Sequence, residues 1–153
     1  MALRRILKDG DETLRKVSRP VETIDARTLQ LLDDMADTMY DAHGIGLAAP
    51  QVGVLKRIFV VDAGDGSGLF EFINPFFLRK EGAQVGQEGC LSIPGRYGEV
   101  ERPAVVEIQA QDRYGQTFTL QGEGLMAVVL SHEYDHLEGI LFKDKARGPL
   151  VEG

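Results

Sequence analysis

Leu125-Met126-Ala127-Val128-Val129-Leu130-Ser131-His132-Glu133-Tyr134-Asp135-His136 is the stretch on which the reading of this chain turns. Its first half, Leu125 to Leu130, is apolar on every side, and a helix of that composition is buried centrally, under or between sheets. The pattern predicts a helix over 123–138, closed by Gly139. The second half then carries polar groups into that interior. Residues four apart share a helix face, so His132 and His136 can both point neutral ring nitrogens at one divalent cation. Glu133 sits beside the first of them and can reach a water held by such a cation without itself being a ligand, which suits a general base.

A second helix is predicted over 25–42. Asp25 is its candidate N-cap, Leu29, Leu32, Ala36 and Met39 form a helical stripe, and Gly44 ends it. Between the helices lie strand-like runs at 57–62, 69–73, 76–80, 104–111 and 117–121, separated by Gly and Pro as antiparallel strands and hairpins require. Helices at both ends with strands between them define an α+β class. The expected architecture is mostly antiparallel strands packed around a central buried C-terminal helix, with an N-terminal helix. No repeat, low-complexity tract or linker divides the 153 residues, so residues 1–153 are expected to form a single domain.

Composition narrows the function. With 43% hydrophobic and 27% charged residues the chain reads as soluble and globular, and its net charge of −7 argues against a general nucleic-acid or anionic-membrane binder. One Cys rules out an internal disulfide, so nothing points to secretion. No stretch has the length of a transmembrane span. The basic, apolar start at 1–7 is broken by Lys8-Asp9-Gly10-Asp11-Glu12 before a signal-peptide core forms. A cytoplasmic location is the expectation; an organellar protein freed of its transit peptide would read the same.

Two imidazoles do not complete a catalytic metal site, which usually has three protein ligands and an open position. Zinc proteases place the third ligand downstream, but the position where one class has its third His holds Phe142 here. The other class needs a Glu on a later helix, and only Glu152 remains, in a terminal segment expected to fray. The ligand is therefore sought upstream. Cys90, in the glycine-flanked loop Gln87-Glu88-Gly89-Cys90-Leu91-Ser92, offers a thiolate. A free Cys is more often a small buried apolar residue, but here the His pair lacks a partner.

Gly44-Ile45-Gly46-Leu47-Ala48-Ala49-Pro50-Gln51 superficially follows a dinucleotide-binding glycine pattern, which must follow a strand and open a helix. This segment closes a helix and runs into Pro50, so that reading fails. Its glycines can let backbone approach a substrate closely, with the Gln51 amide as a directed hydrogen-bond donor; a plain helix-terminating turn is the bland alternative.

Together, Gly44–Gln51, Glu88-Gly89-Cys90-Leu91-Ser92 and His132–His136 resemble, in order and spacing, the three signature motifs of the peptide deformylases, and the resemblance spans essentially the whole chain. It implies a monomeric α+β metallohydrolase that removes the formyl group from N-formylmethionine on nascent polypeptides and releases formate. It implies Fe(II) as the metal, with Ni, Co or Zn as substitutes, held by Cys90, His132 and His136 with a water at the fourth position. Glu133 would act as general acid and base, and Gln51 with the Leu91 backbone N–H would stabilise the oxyanion. Gly44, Ile45, Gly46 and Gly89 would line the substrate channel. Helix spacing adds Leu125, Val128 and Val129 on the face of the two histidines, an apolar wall suited to an unbranched side chain; core packing is the alternative, most of all for Leu125.

Two departures from the family pattern stand out. Ser131 occupies a position that is often Gln, and is expected to point away from the metal. The chain runs only eleven residues past Phe142, without the long C-terminal helix some members carry, so no ribosome contact through such a helix is implied, although nascent chains place the enzyme near the ribosome. Arg96 and Tyr97 are candidates for the groove rim, and His43 for a surface or packing residue. A zinc-type peptidase is the enzymatic rival, disfavoured by the missing downstream ligand. A binding protein with a closed structural metal site is the other, disfavoured by Glu133.

Overall fold

The computed structural model describes residues 2–153. Its organisation follows from Ile58-Phe59-Val60-Val61, strand β2 (Ile58–Val61), whose four side chains are all buried. An uninterrupted apolar run of this kind belongs to a strand covered on both faces. Ile58 and Val60 join a core with Leu32, Met35 and Met39 of helix α1 (Ala26–Asp41). Phe59 and Val61 turn the other way, into a core with Ala127, Leu130 and Leu137 of helix α2 (Leu125–Leu137). The two helices thus clasp one sheet.

That sheet has β2 between β1 (Gly46–Ala48) and β3 (Phe70–Glu81), continued by β6 (Val105–Gln111) and β7 (Thr117–Glu123), in the order β1-β2-β3-β6-β7. A second, three-stranded sheet has the order β4-β5-β8, built from β4 (Gln84–Cys90), β5 (Ile93–Arg102) and β8 (Val151–Glu152). All strand pairs are antiparallel. The α+β class and the buried C-terminal helix are as expected. No helix among the described residues is long and apolar enough to cross a membrane.

Several local expectations are corrected. The runs at 69–73 and 76–80 are one strand, β3, which passes through Asn74 at φ 52° with a shift of register. Asn tolerates this left-handed conformation, and its side chain holds the Val21 N–H at 2.8 Å and the Val21 carbonyl at 2.9 Å. Cys90 is the last residue of β4, not part of a loop. Within Gly44–Gln51, Gly46–Ala48 pairs with β2 and Ala49–Val52 forms a 3-10 turn. Glu152 lies in a strand: β8 pairs with β5, placing Arg96 opposite Glu152 and Tyr97 opposite Val151. The first turn of α2 is not apolar core throughout, because Leu125 is 53% exposed.

The start of α1 and the end of α2 are set by local chemistry. The Asp25 carboxylate accepts from the Thr28 N–H at 3.0 Å and caps α1. At the end of α2, Gly139 has φ +74° and its N–H donates to the His136 carbonyl at 3.2 Å, while Ile140 N–H donates to Asp135 at 2.9 Å. A side chain on Gly139 would begin 2.7 Å from the Arg15 carbonyl carbon, and backbone cannot step aside cheaply. Gly139→Ala is therefore expected to destabilise the protein by at least about 1–3 kcal/mol, the usual cost of one forced backbone conformation. The urea unfolding midpoint checks this, and an unchanged midpoint would show that the helix end is slack.

Candidate metal centre and groove

Helix α2 brings His132, Glu133 and His136 into the interior, all three buried, with the two imidazole centroids 5.1 Å apart. Strand β4 delivers Cys90 from the opposite side, its Sγ 3.4 Å from His136 Nε2. One donor atom from each of Cys90, His132 and His136 lies within 4.8 Å of the others. Metal–sulfur and metal–nitrogen bonds of about 2.3 and 2.0 Å at tetrahedral angles put such donors roughly 3.5 Å apart, so the separation is of the right size for one ion.

The electrostatics also favour a cation. Burial pulls the His132 imidazole towards neutrality, but hydrogen bonds to Cys90 and Glu88 outweigh it and raise its pKa well above the usual value. Burial, reinforced by the neighbouring His132, pushes His136 well below it. The groups that favour positive charge on His132 are the sulfur and carboxylate groups that a divalent cation would face. The residues fit a metal.

Around these donors is a set of charges that the sequence reading passed over. Glu88 Oε1 lies 2.9 Å from His132 Nδ1, which leaves the other ring nitrogen for the Cys90 side. The Arg102 guanidinium grips Glu88 at 2.8 and 2.9 Å and Asp135 at 2.7 Å. Burial alone would raise the Glu88 pKa, yet its bonds to Arg102 and His132 prevail and bring it down to about 2. Glu88 and Asp135 lie within the quoted motifs, and for Asp135 a carboxylate on the inward face of a buried helix was the available signal. Arg102 left none, since its partners are remote in sequence.

Glu133 is unlike the others. Burial is the main cause lifting its pKa to about 7, and its Oε1 has no hydrogen-bond partner. A side chain on Gly46 would begin 2.9 Å from the Glu133 carboxyl carbon, so this glycine leaves the space that the carboxylate needs. Gly44 does the same for Leu91, whose Cδ1 lies 2.7 Å from where a Cβ would stand. These glycines make room for the protein's own side chains, a tighter reason than the approach of a substrate.

A groove of about 650 Å³ opens over the centre. Of the metal-binding, catalytic and substrate-binding residues named from the sequence, all line it except His136. The Gln51 carbonyl oxygen is pinned by the Ala48 N–H at 2.9 Å, which turns its NH₂ towards Ser92 Oγ at 3.1 Å and Cys90 Sγ at 3.6 Å. The Ser131 hydroxyl returns to the Ala127 carbonyl at 2.8 Å, away from the donors. His43, exposed and at φ 59°, and Tyr97 stand on the groove, whereas Arg96 does not.

An α+β frame that buries a His-Glu-x-x-His helix against a cysteine beneath an apolar groove defines a hydrolase of the metal-site type. Comparison with known proteins makes this specific. Residues 3–150 match the family model described as polypeptide deformylase. A peptide deformylase of Acetivibrio thermocellus is 61% identical over 145 residues, covering 95% of this chain and 84% of the relative. The crystal structure of a peptide deformylase from Legionella pneumophila is 48% identical with a TM-score of 0.92, covering 95% of this chain and 87% of that one. The one from Thermotoga maritima is 38% identical with a TM-score of 0.93, covering 97% and 100%. The chain belongs to the polypeptide deformylase family.

The buried charges yield a test that needs no activity. Arg102→Leu would leave the buried Glu88 without its cation and Asp135 with only the exposed Lys145, 3.0 Å away. A loss of about 3–5 kcal/mol in unfolding free energy is expected. A loss below about 1 kcal/mol, in the range of exposed pairs, would show that water reaches these groups.

Proposed function

We propose that this chain removes the N-formyl group from N-formylmethionine at the start of nascent polypeptides, releasing formate, with one divalent metal held by Cys90, His132 and His136. The observation that carries the reading is the buried, unpartnered carboxylate of Glu133 beside that donor group, at the floor of the groove. A thiolate with two imidazoles suits borderline divalent metals, and Fe(II) is the choice that the family implies, with Ni, Co or Zn able to stand in. When bound, the metal supplies Lewis acidity that polarises the formyl carbonyl and activates a water.

The rest is done by the chain. Glu133, with a pKa lifted to about 7, takes a proton from the attacking water and returns one to the leaving amine. The Gln51 amide, turned towards Cys90 by its bond to Ala48, and the backbone N–H of Leu91 stabilise the oxyanion at the formyl carbon. Gly46 lies on β1 and Gly89 on β4, each the edge strand of its own sheet and each lining the groove. Unpaired strand edges accept an extended peptide by main-chain hydrogen bonding, which requires no particular side chain. Ile45, Leu125, Val128 and Val129 then present apolar surface to an unbranched first side chain. Work on nascent chains fits a cytoplasmic enzyme, or an organellar one freed of its transit peptide, acting as a monomer of one domain.

Two variants measured side by side test this. Cys90→Ala is expected to lose most of the metal by elemental analysis. Glu133→Gln is expected to keep it while formate release from a formyl-Met peptide falls by roughly two to four orders of magnitude, the usual contribution of acid–base catalysis. Full metal content in the first variant, or wild-type turnover in the second, removes that residue from its role. Internal peptide cleavage in place of formate release by the wild type would make the enzyme a peptidase.

A further inference from the structure

The two oxyanion donors come from different parts of the fold. Gln51 follows β1 of the five-stranded sheet, and Leu91 lies in the turn between β4 and β5 of the three-stranded one. Among the described residues no strand ladder joins the two sheets. Residues 6–9 cross the seam between them. The Leu7 N–H donates to the Gln51 carbonyl at 2.7 Å and the Asp9 N–H to the Ser92 carbonyl at 2.9 Å. Between them the Lys8 ammonium donates to the Leu91 carbonyl at 3.3 Å. Ile6 packs into the core of α1, and Leu7 into the one that holds Ile93, Val100 and Phe142. Both ends are tied down as well. The Arg4 guanidinium holds Asp34 of α1 at 3.0 Å, and the Asp9 carboxylate pairs with Lys143.

We propose that Leu7 and Asp9 are positioning residues for the reaction, the two fixed points of a strap that sets the distance between Gln51 and Leu91. The inference rests on the deformylase reading of the site, in which those two groups face the formyl oxygen. Donors two residues apart can span no more than about 7 Å, so the carbonyls they hold cannot drift apart. A second link, from the Gln51 NH₂ to Ser92 Oγ at 3.1 Å, joins the same segments but shares the amide that the oxyanion needs. The strap uses backbone groups and has no such conflict. Leu7 and Asp9 are not among the residues lining the groove, so they act through the residues they hold. Donors fixed before charge develops need not reorganise in the transition state, and the strap supplies that fixity.

The test removes one N–H at a time. Asp9 is the second residue of the turn Lys8–Asp11, closed by the Asp11 N–H on the Lys8 carbonyl at 3.0 Å, with Gly10 at φ 104°. Proline suits the second position of such a type II turn. Asp9→Pro therefore keeps the backbone path and loses the donor to Ser92 together with the carboxylate. Lys143→Met, which strips the carboxylate of its partner and leaves the N–H, is the control. Replacing Leu7 by its α-hydroxy acid turns the donor to Gln51 into an ester oxygen and keeps every side chain. Metal content and formate release from formyl-Met-Leu-Phe are measured on each. Both N–H deletions are expected to lower kcat about five- to fiftyfold, less than the roughly 10²–10³ of losing an oxyanion donor outright. KM should stay within about twofold, because the contact is made in the transition state, and metal content should not change. An unchanged kcat in either deletion, a rise in KM in its place, metal lost in step with activity, or the same fall in Lys143→Met would each overturn the proposal. A wild type that releases no formate would instead sink the deformylase reading.

Discussion

One buried cation holds the site together. The Arg102 guanidinium is 3% exposed, and its N–H groups go to Glu88 on β4 and Asp135 on α2, so a single side chain of β5 binds both other elements that carry donors. Charges in such a place cost several kcal/mol each unless every partner is present. The cluster is therefore a condition on assembly: the three-stranded sheet can dock on α2 only where the three groups meet. Glu88, once fixed, sets the ring of His132 through Nδ1, as outer partners of metal ligands commonly do. The spacing between Cys90 and the histidines is inherited from this docking.

Space is the second constraint. Gly44 and Gly46 are pressed by Leu91 and Glu133, and Gly89 by Tyr97, so the wall positions nearest the chemistry are glycines because neighbouring side chains already fill the volume a Cβ would need. A carboxylate with one unpartnered oxygen is tolerated at this point because the groove is open beside it. Burial then lifts its pKa into the range where it can both take and give a proton near neutrality.

How much of this was legible in the sequence depended on how local its cause was. Helix α2 could be read because its apolar run, the four-residue spacing of its histidines and Gly139 all lie within one short segment. Helix α1 could be read from Asp25 and its stripe. Strands β4 and β5 were hidden: four glycines from Gly86 to Gly98 and a series of exposed charges dilute any alternation, and their pairing is set by docking on α2. β1 and β8 are too short to carry a period, so a helix-closing glycine segment and a fraying terminus were expected in their place. The donor residues were legible by chemical type, whereas Arg102, fourteen or more residues from each partner, was not.

The clasp of β2 between the two helices has a mechanical consequence. Its side chains are sealed on both faces, and such segments open only with the whole molecule, while edge strands with exposed side chains open at little cost. Helix α2, at the floor of the groove, packs on that sealed strand, whereas β4, on the outer wall, is an edge strand. A stiff floor keeps the reacting groups in register. A yielding wall lets chains of unlike sequence be seated above them without that register being lost, which is the quality demanded of an enzyme that meets a different polypeptide at each turnover.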